Sequence, residues 1–184
     1  MVTNDFPQIT HDLFFEWREH HRSDAPDLWP ADLRAEMDAG HEARLHRGEQ
    51  RRLPVRIRRL ARRPTTQAYD RLWAALDWLE ERLAARRYLM GEAITEADVR
   101  LFTTLVRFDP VYHGHFKCNR QQAQRDARTC GRYARDLFQT PGFGDTVDFD
   151  QIKRHYYVVH TDVNPTGIVP KGPDLAAWLE PPTR

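Results

Sequence analysis

The chain lacks most of the patterns that declare a chemistry. It has two cysteines, Cys118 and Cys130, and no Cys-x-x-Cys spacing in its 184 residues. That excludes a disulfide-stapled fold and a cysteine-type zinc site, and makes a reducing, cytoplasmic setting the default. No apolar run approaches the roughly 20 residues that span a bilayer, so no membrane partner is expected. The opening MVTNDFPQIT lacks the basic-then-apolar order of a secretory signal. Among nine histidines, His113 and His115 stand two apart, and His155 and His160 five apart. Neither is the i, i+4 spacing of a helical metal pair, so no metal is expected. Glycine-rich phosphate loops and Ser-His-Asp orders are missing too. So are the alternating runs that build a sheet, which leaves an all-α fold.

Lysine is scarce as well. Only Lys117, Lys153 and Lys171 are lysines among 28 basic residues, and arginine supplies the rest. The net charge of +1 hides an uneven distribution. Residues 44–63 hold nine arginines against Glu49, and residues 120–132 hold four against Asp126. The remainder of the chain is acidic.

What is present is helical periodicity. Ile9, Leu13, Phe14 and Trp17 mark a first helix over residues 8–21, interrupted by Pro26 and Pro30. A second is expected from Ala31 to about His46, with Leu33, Met37 and Leu45 inward. The clearest runs from Thr66 to Arg87. There Tyr69, Leu72, Trp73, Leu76, Leu79 and Leu83 form one apolar stripe, and Gly91 reads as its stop. Thr95 and Asp98 have the spacing of a capping box, with Ile94 and Val99 as its staple. Pro110 reads as the break of that helix. Two further helices are expected over Arg132–Gln139 and Phe149–His160. After Asn164, Pro165, Pro170 and Pro173 predict an extended tail lying over the domain.

Two runs carry a resemblance: ITEADVRLFTTLVRFDPVYHGHFKCN over 94–119 and FDQIKRHYYVVHTDVNPTGIVPKGP over 149–173. They resemble the C-terminal helical domain of the glutathionyl-hydroquinone reductases, the Xi class of the glutathione S-transferase family. The Thr95–Asp98 box resembles the folding box of those transferases. The resemblance covers most of residues 1–43 and 65–184. It implies a glutathione S-transferase C-terminal-like helical bundle over 8–163, a C-terminal tail over 164–184, and a remnant of a thioredoxin-like domain over 1–7. The rest of that N-terminal domain, which carries the family's catalytic cysteine, is expected to be missing.

The resemblance also implies a reaction. A thiolate attacks the sulfur of a glutathionyl-hydroquinone, hydroquinone leaves, and a second glutathione resolves the mixed disulfide. Glutathione is therefore the expected co-substrate, and quinone or hydroquinone conjugates are the expected small-molecule partners. A homodimer is compatible with the family. Tyr112 and either Tyr156 or Tyr157 match positions near the quinol pocket, and core packing is the rival reading for each. Asp5 matches the acidic position that holds the γ-glutamyl amine, and Phe6 stands where many members have serine. No catalytic residue is assigned: Cys118 lies outside the family's catalytic motif and reads as a packing thiol. The expectation is a fragment that is inactive alone. A non-catalytic interaction module is the alternative, and arginine-driven nucleic-acid binding a third reading.

The arginine-rich stretches admit a different account. Residues 47–54, RGEQRRLP, can be encoded so that reading one base later gives AVNNGVYR. The continuation through Ile57 and Arg58 supplies CGFA, completing a run typical of the family. Residues 120–128 can likewise yield GNKLSEMPA. Two restored frameshifts would explain the arginine excess, and would put Leu53 where the family has a tyrosine. With no interleaved aromatics, and with Pro54 and Pro64 breaking any recognition helix, specific nucleic-acid binding is not expected.

Overall fold

The computed structural model describes residues 5–37, 66–123 and 128–181. Both arginine-rich stretches fall wholly or partly outside them, as does the expected helix beyond residue 37.

Asp5 opens α1 (Phe6–Phe15) as its N-cap, accepting from the Gln8 amide at 3.3 Å. The first helix is shorter than its periodicity implies. It ends at Phe15, and residues Arg18–His20 form a separate 3-10 turn. His21 folds back, its Nε2 lying 2.9 Å from the Leu13 carbonyl, and covers one of the helix's open acceptors. Residues 34–37 are helical and bury Met37.

Helix α2 (Thr66–Ala84) buries Ala68, Leu72, Trp73, Leu76, Leu79 and Leu83, one face at helical spacing, with Tyr69 half-buried beside it. It stops at Ala84, before Gly91. Arg82 instead donates to the Leu89 carbonyl at 2.8 Å, tying the following loop to the helix end. Gly91 serves a different purpose. At φ 134° it closes a tight turn in which Tyr88 and Gly91 exchange both backbone hydrogen bonds.

Helix α3 (Glu96–Leu105) is the centre of the bundle and is buried on nearly every side. Its capping box forms, and Asp98 extends it. The Asp98 carboxylate accepts from the Thr95 amide and hydroxyl, the Leu89 amide and the Tyr133 phenol, all at 2.7–2.8 Å. Four donors make a fully buried carboxylate tolerable.

Pro110 does not break the chain's helical path. Residues Phe108–Tyr112 form a π-turn, in which the amides of Tyr112 and His113 reach back five residues to Arg107 and Phe108. The wider turn accommodates a residue that has no N–H to donate, and helical geometry resumes at His113–His115.

Helix α4 (Arg128–Phe138) starts earlier than Arg132. The Glu80 carboxylate of α2 accepts from the Thr129 and Cys130 amides at 3.0 and 2.8 Å, a cap from a distant helix that local sequence does not reveal. Helix α5 (Phe149–Val159) is capped by Asp148, which accepts from the Gln151 amide. The tail is not wholly extended. Residues Ala176–Leu179 form a 3-10 turn that drives Trp178 into the core against Phe138 and Phe149, at ring separations of 5.1 and 5.6 Å. The architecture is all-α: among the described residues, the one β-type bridge pairs Tyr88 with Gly91.

Candidate functional site

The π-turn and α5 together assemble an aromatic cluster. Tyr112 is fully buried, its ring 6.0 Å from Tyr156 and 5.6 Å from Phe116. Tyr156 is also buried and stands nearly perpendicular to Phe116 and His160. Tyr157 leans the other way, its ring 4.8 Å from His115. Its phenol oxygen accepts from the His115 backbone amide. Burial raises the Tyr157 phenol above its ordinary pKa, and that hydrogen bond opposes the rise only in part. Gly114 makes the approach feasible, because a Cβ there would stand 2.9 Å from the Tyr157 oxygen.

All three tyrosines named from the sequence therefore meet in one cluster, and all three are buried in the core, as the packing reading expects. Asp5 belongs to a different element, at the head of α1. Sequence reasoning missed Phe116 and the His115–His160 contact, although GHF and HYYVVH lie inside the runs that carry the resemblance. His115 Nε2 and His160 Nδ1 are 3.2 Å apart.

Neither cysteine has the surroundings of a nucleophile. Cys118 is buried, and burial pushes its thiol up to about 12. Lys117 gives it no help: it takes a left-handed backbone at φ 60°, and its ammonium donates to the Gly114 carbonyl at 3.0 Å. Cys130 is also buried, and burial with the nearby Glu80 carboxylate holds its thiol well above the ordinary range. A thiolate nucleophile needs the reverse, a lowered pKa and access.

A separate open groove of about 730 Å³ lies between α1 and α3. Leu13, Phe14, Trp29 and Val99 give it apolar walls, and the paired Glu96 and Arg100 lie along it. Arg100 also reaches across to the Thr10 hydroxyl at 3.0 Å. None of Tyr112, Tyr156 and Tyr157 lines this groove. Among the described residues no three potential metal ligands converge, and no helix is long and apolar enough to cross a membrane.

The site thus sits in a helical bundle centred on a capped, buried α3, with the tail folded back onto the core. The family model for the glutathione S-transferase C-terminal domain matches residues 16–180, and the chain belongs to that family. Within it, the chain resembles the Xi class. Glutathionyl-hydroquinone reductase PcpF of Sphingobium chlorophenolicum is 42% identical over 151 residues, covering 80% of this chain and 46% of that protein. A putative glutathione S-transferase from Corynebacterium glutamicum superposes with a TM-score of 0.88 at 51% identity, over 98% of this chain and 60% of that one. The glutathione-bound structure of YqjG, a glutathione transferase homologue from Escherichia coli, gives a TM-score of 0.80 at 32% identity, over 98% of this chain and 57% of that one. The chain thus spans about half the length of relatives it matches.

Proposed function

We propose that this chain provides the helical, quinol-contacting part of a glutathione-dependent reductase that converts glutathionyl-hydroquinones to hydroquinones. The meeting of Tyr112, Tyr156 and Tyr157 in one cluster carries the reading. Phenols and aromatic faces suit a quinol, which needs a ring to pack on and partners for its hydroxyls. Glutathione is the co-substrate, and Asp5 is the residue proposed to meet its amine.

In the reaction, a thiolate attacks the thioether sulfur. The electron pair of the carbon–sulfur bond, with one proton, goes to the ring carbon, and hydroquinone leaves. A second glutathione thiolate then releases oxidised glutathione. The attacking thiolate is not Cys118 or Cys130, given their burial and raised pKa. It belongs to a thioredoxin-like domain that acts together with this one. Residues 1–184 alone should therefore leave a glutathionyl-hydroquinone intact. The experiment incubates the purified chain with glutathione and that conjugate, and follows hydroquinone release. In parallel, hydroquinone affinity is measured for the wild type and for Tyr112→Phe, Tyr156→Phe and Tyr157→Phe. Turnover that vanishes in Cys118→Ser, or an affinity indifferent to all three tyrosines, sinks the reading.

One observation favours a second reading, that of a non-catalytic interaction module. Leu13, on the groove wall, and Trp17, four residues further along the chain, are more than half exposed, a surface suited to another protein.

A further inference from the structure

The His115–His160 pair has no part in the scheme above, yet it sits at the join between the two elements that carry the tyrosines. We propose that His160, through its hydrogen bond to His115, is a positioning residue for Tyr156 and Tyr157. The proposal rests on the reading of those tyrosines as quinol contacts.

The geometry is specific. His160 is the C-cap of α5, and its own amide bonds to the Tyr156 carbonyl. Its carbonyl accepts from the Val163 and Asn164 amides at 3.1 and 2.9 Å, so its backbone is held from both sides. Asn164 reinforces this by donating to the Tyr157 and Ile168 carbonyls at 2.7 and 3.0 Å. From that fixed base the imidazole reaches across 45 residues of chain to the buried His115. His115 meets Tyr157 with its ring, and its backbone amide holds the Tyr157 oxygen. His160 itself stands 5.3 Å, edge to face, from Tyr156. The pair is thus a side-chain hydrogen bond between the α5 terminus and the His113–His115 turn, with one tyrosine on each side of it. Ring packing and the Tyr157 oxygen also tie the end of α5 to that turn. Rings slide and rotate more freely than a directional bond permits.

Imidazole nitrogens have amide mimics. The Nδ1 of histidine falls near the amide of asparagine, and Nε2 near that of glutamine. His160→Asn should therefore keep the bonding atom, and His160→Leu should delete it. Both remove the ring, so the difference between them reports the hydrogen bond and not the aromatic contact. Two readouts are taken on the full chain: the ring resonances of Tyr156 and Tyr157 by NMR, with Tyr133 as a buried reference, and the Kd for 1,4-hydroquinone. In His160→Leu both tyrosines should shift while Tyr133 stays. Hydroquinone affinity should fall about tenfold, the worth of one lost hydrogen bond. Tyr156 should shift in both variants, because each removes the ring beside it, while His160→Asn should keep Tyr157 near its wild-type resonance and recover most of the hydroquinone affinity lost in His160→Leu. If His160→Asn falls as far as His160→Leu, or if neither moves Tyr157, the positioning role is wrong. If the wild-type chain binds no hydroquinone, the substrate reading fails, and the tyrosine resonances still decide the positioning claim.

Discussion

The phenol of Tyr133 donates to Oδ1 of Asp98 at 2.7 Å, joining α4 to the first turn of α3. Both residues are buried. The same carboxylate holds the Thr95 amide and hydroxyl and the Leu89 amide, so one side chain ties the α2–α3 loop, the start of α3 and the middle of α4. A capping box usually stabilises one helix end. Here its acidic residue is also a tertiary junction.

Tyr133→Phe should lower stability by about 1.5–3 kcal/mol, because the lost bond is made to a charged group. Asp98→Ala should cost more, about 3–5 kcal/mol, since it strands four buried donors. Urea denaturation of both variants, compared at constant m value, checks the order. Equal midpoints for wild type and both variants would mean that the junction is not formed.

Alkali should destabilise the fold. Cys118, Cys130 and Tyr133 all have folded pKa values raised by burial. Each contributes stability that is present below its unfolded pKa and lost as pH rises above it, because the unfolded chain gives up protons that the native chain keeps. Loss should begin near pH ~8.5 with the thiols and steepen near pH ~10 with the phenol. Replacing both cysteines by serine should flatten the first part of the melting-temperature profile and leave the second. A flat profile in the wild type between those two values would contradict the burial of the thiols.

Gly114→Ala should destabilise by about 1–3 kcal/mol, the usual range for forcing a methyl into a packed site. The new Cβ meets the Tyr157 oxygen at 2.9 Å, at the end of a stiff, buried ring. Near-ultraviolet circular dichroism should change together with the thermal midpoint. A variant with wild-type spectrum and midpoint would show that the ring has room to move.

Trp178→Ala should cost about 3–5 kcal/mol, the range for emptying a large buried aromatic site. Trp178 is almost wholly buried, and Gln139 donates to the Trp178 and Glu180 carbonyls, so the tail is locked by both packing and hydrogen bonds. Limited proteolysis should cut the variant between residues 165 and 181 well before the wild type. Equal cleavage rates would mean that Trp178 does not hold the tail down.

The coding DNA should give a family-like run when read one base later across residues 47–58, and again across 120–128. Sequencing decides this. Stop codons or unrelated residues in the shifted frame would return the arginines to a functional explanation.

Much of the fold was legible because its signals are local. The α2 stripe of Leu72, Trp73, Leu76, Leu79 and Leu83 follows from periodicity alone, and the Thr95–Asp98 box from a three-residue spacing. The three tyrosines were legible only through the runs that surround them. Boundaries set by distant partners were not legible. The beginning of α4 depends on Glu80, some fifty residues away in sequence. The continuation past Pro110 depends on a π-turn, which uses a backbone pattern that no residue type announces.

By itself the sequence determined the helical class, the main apolar faces, the capped start of α3 and the family to which these residues belong. The first three rest on interactions between neighbours in the chain, where spacing and geometry are nearly the same thing, and the family rests on the two long runs that carry the resemblance. Only the tertiary structure decided that Asp98 serves Tyr133, that Tyr112, Tyr156 and Tyr157 share one cluster, that His160 reaches His115, and that both thiols are shut away. Those depend on which faces meet when the helices pack, and burial and directional hydrogen bonds between distant segments exist only after they have met.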